Sequence, residues 1–361
     1  MADLQDEQNA AYTADTAPGT PGSVGAEDLP AAVAGSALER AVALLSVHPV
    51  ADGHNTLVWT LRQSPYHDID TSDTGVDTDI PRLRAGGVGA QFWSLLLPRE
   101  AAAADRVVSE TLEQIDVALA LIRRYPEGLC LALTADDMAD ARNRGRIASF
   151  LGPVAGRTLT DSLGALHAFH ALGVRILAPA GAPWAQHDLT PFGHEVVKEM
   201  NRLAMLVDLT GCAPEVACQL AGASKAPVIA SHTAAAALNP HPGNVTDEVL
   251  MALRAANGLA MVTFDAEQTG DSLHAVADHL EHVRAVAGPH CVGLGATFGS
   301  EQGTPRPMGL TDPSGYPRLI AELLERGWSE TDLALLTWDN AQRVLRDAEF
   351  TARAAQHRRT A

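Results

Sequence analysis

The chain has 361 residues, 46% hydrophobic and 19% charged, which is enough to bury a large core in one big α/β barrel or in two smaller domains. A formal net charge of −18 at pH 7 argues against nucleic acid, whose phosphates demand a basic face, and leaves proteins or small molecules as partners. Cys130, Cys212, Cys218 and Cys291 lie far apart with no Cys-x-x-Cys, so neither a disulfide framework nor a zinc knuckle is expected and a reducing cytoplasm fits. The start at Met1 has no basic segment followed by an apolar one, and no apolar run approaches the ~18 residues of a membrane span, so neither export nor an anchor is expected.

In chain order, residues 1–35 are rich in Ala, Gly, Pro, Thr and acidic residues without periodicity, which reads as a disordered acidic leader. A helix over Ala37 to Leu45 leads into an apolar strand that delivers His54 at its tip. Next come a polar acidic loop, Thr71 to Asp79, and a strand over Val88 to Leu97. Regular alternation follows. Helices are expected at Ala101–Arg124, Ala135–Asn143, Thr160–Leu172, Pro191–Leu203, Ala213–Ala223, Thr246–Ala256 and Ser272–Ala287. Between them fall strands at Leu129–Thr134, Ile147–Leu151, Val174–Pro179, Met205–Thr210, Pro227–His232, Leu259–Phe264 and Cys291–Ala296. Short apolar strands alternating with helices predict an α/β fold, a single (β/α)8 TIM-type barrel over residues 36–348. Nine strand candidates are one more than such a barrel needs, so one is peripheral. Two or three extra helices are expected outside the barrel from Pro317 to Leu345, and residues 349–361, with Arg353, Arg358 and Arg359, read as a flexible tail.

Barrel enzymes place chemistry at the C-terminal tips of strands, so Asp52-Gly53-His54 is the first site candidate. Side chains two apart on a strand face the same way, and a His-x-Asp end grips one metal. Here the second position is Thr56, a poor zinc ligand. Asp52-Gly-His-Asn, Thr78-Asp-Ile-Pro-Arg-Leu-Arg, Gln91-Phe-Trp-Ser, Leu133-Thr-Ala-Asp, Phe192-Gly-His-Glu, Ala226-Pro-Val-Ile-Ala-Ser-His and Val292-Gly-Leu-Gly together resemble the renal (membrane) dipeptidase family, zinc peptidases of the amidohydrolase-like barrel type. The resemblance runs from about His48 to Leu345.

That resemblance implies two zinc ions, a bridging glutamate and hydrolysis of dipeptides. Carried over position by position, His54 and His232 are kept. The aspartate paired with the first falls on Thr56, the bridging glutamate on Val154, and a substrate-facing histidine near Gly181. The second zinc's other histidine falls on Gly211, the arginine for the substrate carboxylate on Gly243, and the last strand's aspartate on Thr297. A shared carboxylate that bridges two cations cannot be imitated by an isopropyl group, and the general base is gone with the last aspartate. Trp59 matches an aromatic residue lining the family's pocket.

The expected protein is therefore a pseudoenzyme of this family, without its two zinc ions or any other cofactor, serving as a binding or partner subunit. The alternative is an enzyme whose emptied pocket runs metal-independent chemistry on a small molecule, with His232, Cys212 and Asp265 as the candidate set. Residual metallodipeptidase activity is the third reading. Because the family commonly dimerises, a homodimer or a heterodimer with an active paralogue is expected. Glu267, His187 and Asp188 are further loop polar groups near the mouth. His167/His170 and His279/His282, each three apart on a helix, are expected as surface pairs. His194-Glu195 lacks the second histidine of a metalloprotease motif.

Overall fold

The computed structural model describes residues 35–360 apart from 66, 73–74, 98–105 and 301–304. The leader and the first residues of the helix expected at Ala101 lie outside the described residues. Ten strands form one sheet: β1 Val50–Asn55, β2 Val88–Trp93, β3 Leu129–Leu131, β4 Ile147–Leu151, β5 Val154–Ala155, β6 Ile176–Ala178, β7 Leu206–Asp208, β8 Val228–Thr233, β9 Leu259–Val262 and β10 Val292–Leu294. Their order is β3-β4-β2-β1-β10-β9-β8-β7-β6-β5, and the pairings are parallel. Closure comes where β4 gives way to β5. Leu151 bridges to Val174, the Arg175 amide donates to the Leu151 carbonyl at 3.0 Å, and Val154 pairs with Leu177. Gly152 sits at this break with φ +128°, and a Cβ there would lie 2.8 Å from the Ile176 carbonyl oxygen, so only glycine fits. β4 and β5 thus share one of eight barrel positions. β3, paired with the first half of β4, is the peripheral ninth candidate.

Strand alternation divides the core in two. One set of residues, Ala51, Ala90, Phe92, Ala148, Phe150, Ile176, Leu206, Ile229, Leu259 and Met261, forms one apolar cluster inside the barrel. Their neighbours Val50, Val88, Ile147, Leu177, Val207, Val228, Val262 and Val292 pack outward against the helices. Phe92 and Phe150 meet edge to face at 5.2 Å, an arrangement that adds about 0.5–1.5 kcal/mol beyond the buried area. Small residues set the fit. A Cβ on Gly53 would fall 2.4 Å from Met261 Sδ.

Helix starts follow capping chemistry. Ser36 and Glu39 form a reciprocal capping box, and Asp79, Thr134, Thr190, Thr246 and Ser272 each accept a backbone N–H of the first turn. The C-terminal helices cross the N-terminal ends of the strands rather than the mouth. Trp338 joins the interior cluster beside Gly89, Thr337 Oγ1 donates to the His48 carbonyl, and Asn340 Nδ2 donates to the Val292 carbonyl at 3.0 Å. Arg343 donates to the carbonyls of Asn257, Gly258 and His290. The last helix, Asn340–Thr360, carries as helix much of the stretch read as a flexible tail, and Ala352 is buried on it.

The surface reading of His279 is corrected. Spacing puts it on the face of helix Leu273–Ala287 that also carries Val276, Leu280 and Val283, and it is 2% exposed. Its Nδ1 accepts the Ala235 amide at 3.0 Å, while His282 pairs with Asp247 at 2.8 Å. His167 does lie at the surface, on Glu199. Burial pushes the His279 pKa down to about 4. Above the unfolded value of ~6.5 both states are neutral and this site's contribution is fully present. As pH falls from there toward 4 the unfolded chain takes up a proton that the native one refuses, and stability is lost. His279→Asn, whose Oδ1 can take the place of Nδ1, is expected to flatten the acid limb of denaturant-measured stability between pH 6.5 and 4. An unchanged slope would show that other groups carry it.

Candidate functional site

The mouth is built on strand tips held by buried polar groups. Asp52 is fully buried, and its Oδ1 accepts the His54 amide at 3.2 Å and the Ala296 amide at 2.9 Å, which joins the end of β1 to the end of β10. Burial pushes its carboxyl up to about 6, and the Tyr316 hydroxyl lies beside it. Asn55 accepts the Leu57 amide that opens the next helix and donates to Thr78. These bonds fix where His54 stands.

The His54 and His232 rings lie 3.7 Å apart at 33°. His54 is 4% exposed, and neither of its ring nitrogens has a hydrogen-bond partner. Burial, with the nearby His232 and Arg306, holds it neutral well below the usual histidine range. His232 is better supported. Its Nδ1 is 2.9 Å from Ser231 Oγ, which donates to Asp208 Oδ2 at 2.6 Å. Asp208 Oδ1 accepts the Ser231 amide, the Thr210 amide and the Thr210 hydroxyl. Because the serine proton is committed to the carboxylate, His232 Nδ1 carries the donated hydrogen and Nε2 keeps the lone pair. Burial lowers the His232 pKa, while Asp208 and Asp265 oppose that shift.

The other candidate positions are spread around this pair. Thr56 precedes helix Leu57–Gln63 and its hydroxyl donates to the Phe298 carbonyl at 3.2 Å, while half-buried Trp59 lies beneath Arg62. Val154 is completely buried within an apolar cluster. Gly181 and Gly211 are exposed, with φ of +72° and +75°. The Gly243 carbonyl accepts the Thr233 hydroxyl at 2.9 Å, and a side chain at Gly243 would press on Gln268. Asp265 Oδ1 accepts the Glu267 amide at 2.9 Å and caps the short helix Ala266–Thr269. Burial, with a contribution from Asp208, pushes the Cys212 thiol up to about 12, the opposite of an activated nucleophile. The geometry thus joins His232 to Asp208 through Ser231, turns Asp265 to the start of its own short helix, and leaves Cys212 without activation.

Thr297 holds φ +64°, where a β-branched residue is strained at a cost of about 1–3 kcal/mol. Its amide donates to the His54 carbonyl at 3.1 Å, and its hydroxyl lies 3.2 Å from that of Thr263. Sequence reasoning missed what lies against it. Arg306 donates from Nη1 to Thr297 Oγ1 at 3.1 Å and from Nη2 to the Thr297 carbonyl at 2.7 Å. Nη2 also pairs with Asp77 Oδ2 at 3.0 Å, the two side chains being 6% and 7% exposed. Asp77 in turn accepts the Gly299 amide and the Thr78 hydroxyl. An arginine between two prolines in the loop after the last strand, with an acidic loop after the first, was the available signal.

This set does not fit a zinc pair. It offers two imidazoles, two neutral threonine hydroxyls and a buried guanidinium. Among the described residues no group of three or more His, Cys, Asp or Glu side chains is placed to hold a metal ion.

Comparison with known proteins assigns the scaffold. Dipeptidase 3 of Mus musculus is 39% identical over 336 residues, 86% of this chain and 66% of that protein. Dipeptidase 3 of Homo sapiens is 37% identical over 335 residues, 86% of this chain and 67% of its own length. The chain therefore spans about two thirds of the length of these relatives. Among solved structures, the dipeptidase AC, a metallo peptidase, superposes with TM-score 0.73 at 25% identity over 83% of this chain and 98% of that one. A metallo peptidase of Rhodobacter sphaeroides liganded with a phosphinate mimic of the dipeptide L-Ala-D-Ala shares the fold, with TM-score 0.74 at 24% identity over 83% and 99% of the two chains. The membrane dipeptidase (peptidase family M19) model matches residues 38–359, and the chain belongs to that family.

Proposed function

We propose that this family member has left metallohydrolase chemistry and acts by binding, as a partner or ligand-holding subunit. The observation that carries the reading is the donor set. His54 and His232 are the nitrogen donors facing one another, and the position of the bridging carboxylate is Val154, 0% exposed in an apolar layer. A hydroxide held between two cations needs that carboxylate, and packing cannot stand in for it. The family name and the dipeptidase relatives favour residual dipeptide hydrolysis, and the donor set weighs against it. A homodimer or a heterodimer with an active paralogue, in the cytoplasm, is the assembly proposed.

A second reading has its own support. The Asp208–Ser231–His232 array leaves a ring lone pair on a partly exposed histidine, the arrangement of a general base, so metal-independent proton transfer on a small molecule is the alternative. Cys212 does not act in it. With its thiol pushed up to about 12, Cys212 is expected to escape iodoacetamide at pH 8 under conditions that fully label the unfolded chain, as read by peptide mass spectrometry. Rapid labelling of the native protein would restore the Cys/His/Asp set.

The leading reading predicts that protein purified without chelator contains no stoichiometric zinc and that added zinc brings no dipeptide turnover in the usual enzyme range of ~1–10³ per second. Val154→Glu alone is expected to restore neither, because ligands act as a unit and the new carboxylate would be buried without a cation. About one tightly held zinc per chain by elemental analysis, or turnover in that range, would overturn the proposal.

A further inference from the structure

We propose that Arg306 is a built-in cation that takes the place of a metal's charge at these strand tips and excludes divalent ions from the His54/His232 pair. Two facing imidazoles, one with both nitrogens unpartnered and the other presenting Nε2, are the beginning of a divalent site. Arg306 is paired with Asp77 in the loops that meet at these strand tips. The guanidinium is anchored on three sides: by Asp77, by the hydroxyl and carbonyl of Thr297, and by the Phe298 ring 5.2 Å below. Thr297 connects it directly to His54 through the amide-to-carbonyl bond.

Arg306 blocks a metal by its charge. The guanidinium is 6% exposed, so water screens little of its repulsion toward a second cation. Guanidinium cannot yield by losing its proton, which makes arginine a stricter guard than lysine or histidine. This inference rests on the metal-free reading above and goes beyond it, because loss of ligands alone would leave Arg306 irrelevant to metal affinity.

The test is calorimetric titration of zinc chloride into the full chain, with wild type, Arg306→Lys, Arg306→Met and the double variant Arg306→Met/Asp77→Asn compared. The double variant removes both halves of the ion pair, and it carries the test if the single one, with Asp77 left buried and unpaired, does not fold. The expected result is zinc affinity at least about tenfold tighter in Arg306→Met than in wild type or Arg306→Lys, and a smaller gain in the double variant. His232→Ala in the same backgrounds should abolish the gain. Variants that bind no tighter than wild type, or a gain that survives His232→Ala, would overturn the exclusion while leaving the metal-free reading standing. A wild type that takes up stoichiometric zinc at His232 would overturn both.

Discussion

Three carboxylates buried beneath the barrel mouth, Asp52, Asp77 and Asp208, must be satisfied by the protein itself, and the geometry of the strand tips follows from how this is done. An unpaired buried charge costs several kcal/mol even after relaxation. Asp208 is answered by hydroxyl and amide donors from β7 and β8, and that arrangement fixes the His232 ring. Asp77 is answered by Arg306, which thereby bonds the loop after β1 to the loop after β10. Asp52 has only amide donors and a phenol nearby, and burial raises its proton affinity instead. Each solution ties two segments distant in sequence. Together they make a polar lid on an apolar interior.

The opposite end is closed by different physics. Trp338 extends the interior apolar cluster, and Asn340 and Arg343 satisfy carbonyls at or near the N-terminal ends of β9 and β10. Those carbonyls would otherwise face solvent at the base of the barrel. With that end capped by the C-terminal helices, the strand tips carrying His54 and His232 are the end left for a ligand. Fold and site position are therefore linked through the tail of the chain.

Much of this was legible in the sequence because barrel strands are short apolar runs and the helices between them carry their own caps. β5 was not, since two residues give no periodicity and its pairing depends on the break at Gly152. His279 was misread because spacing shows which residues share a helix face but not which face is inward; its neighbours Val276, Leu280 and Val283 held the answer. The positions that the resemblance aligns with metal ligands could be named from the sequence. The ion pair of Arg306 with Asp77 could not, because the two stand 229 residues apart and meet only through closure of the barrel.

Charge balance links these positions. In a metal site each carboxylate is tolerated because a cation sits against it; without the cation it becomes an unpaired buried charge. Thr56, Val154 and Thr297 bring no charge to the strand tips, and Arg306 with Asp77 sums to zero. A carboxylate added at one of these positions would need a cation or donors of its own to offset its burial. Thr297 carries a constraint of its own in its backbone. It keeps a left-handed φ that disfavours a β-branched side chain, and the bonds it makes to His54, Thr263 and Arg306 hold it there. The tip of β10 thus holds a strained conformation in which threonine serves the guanidinium.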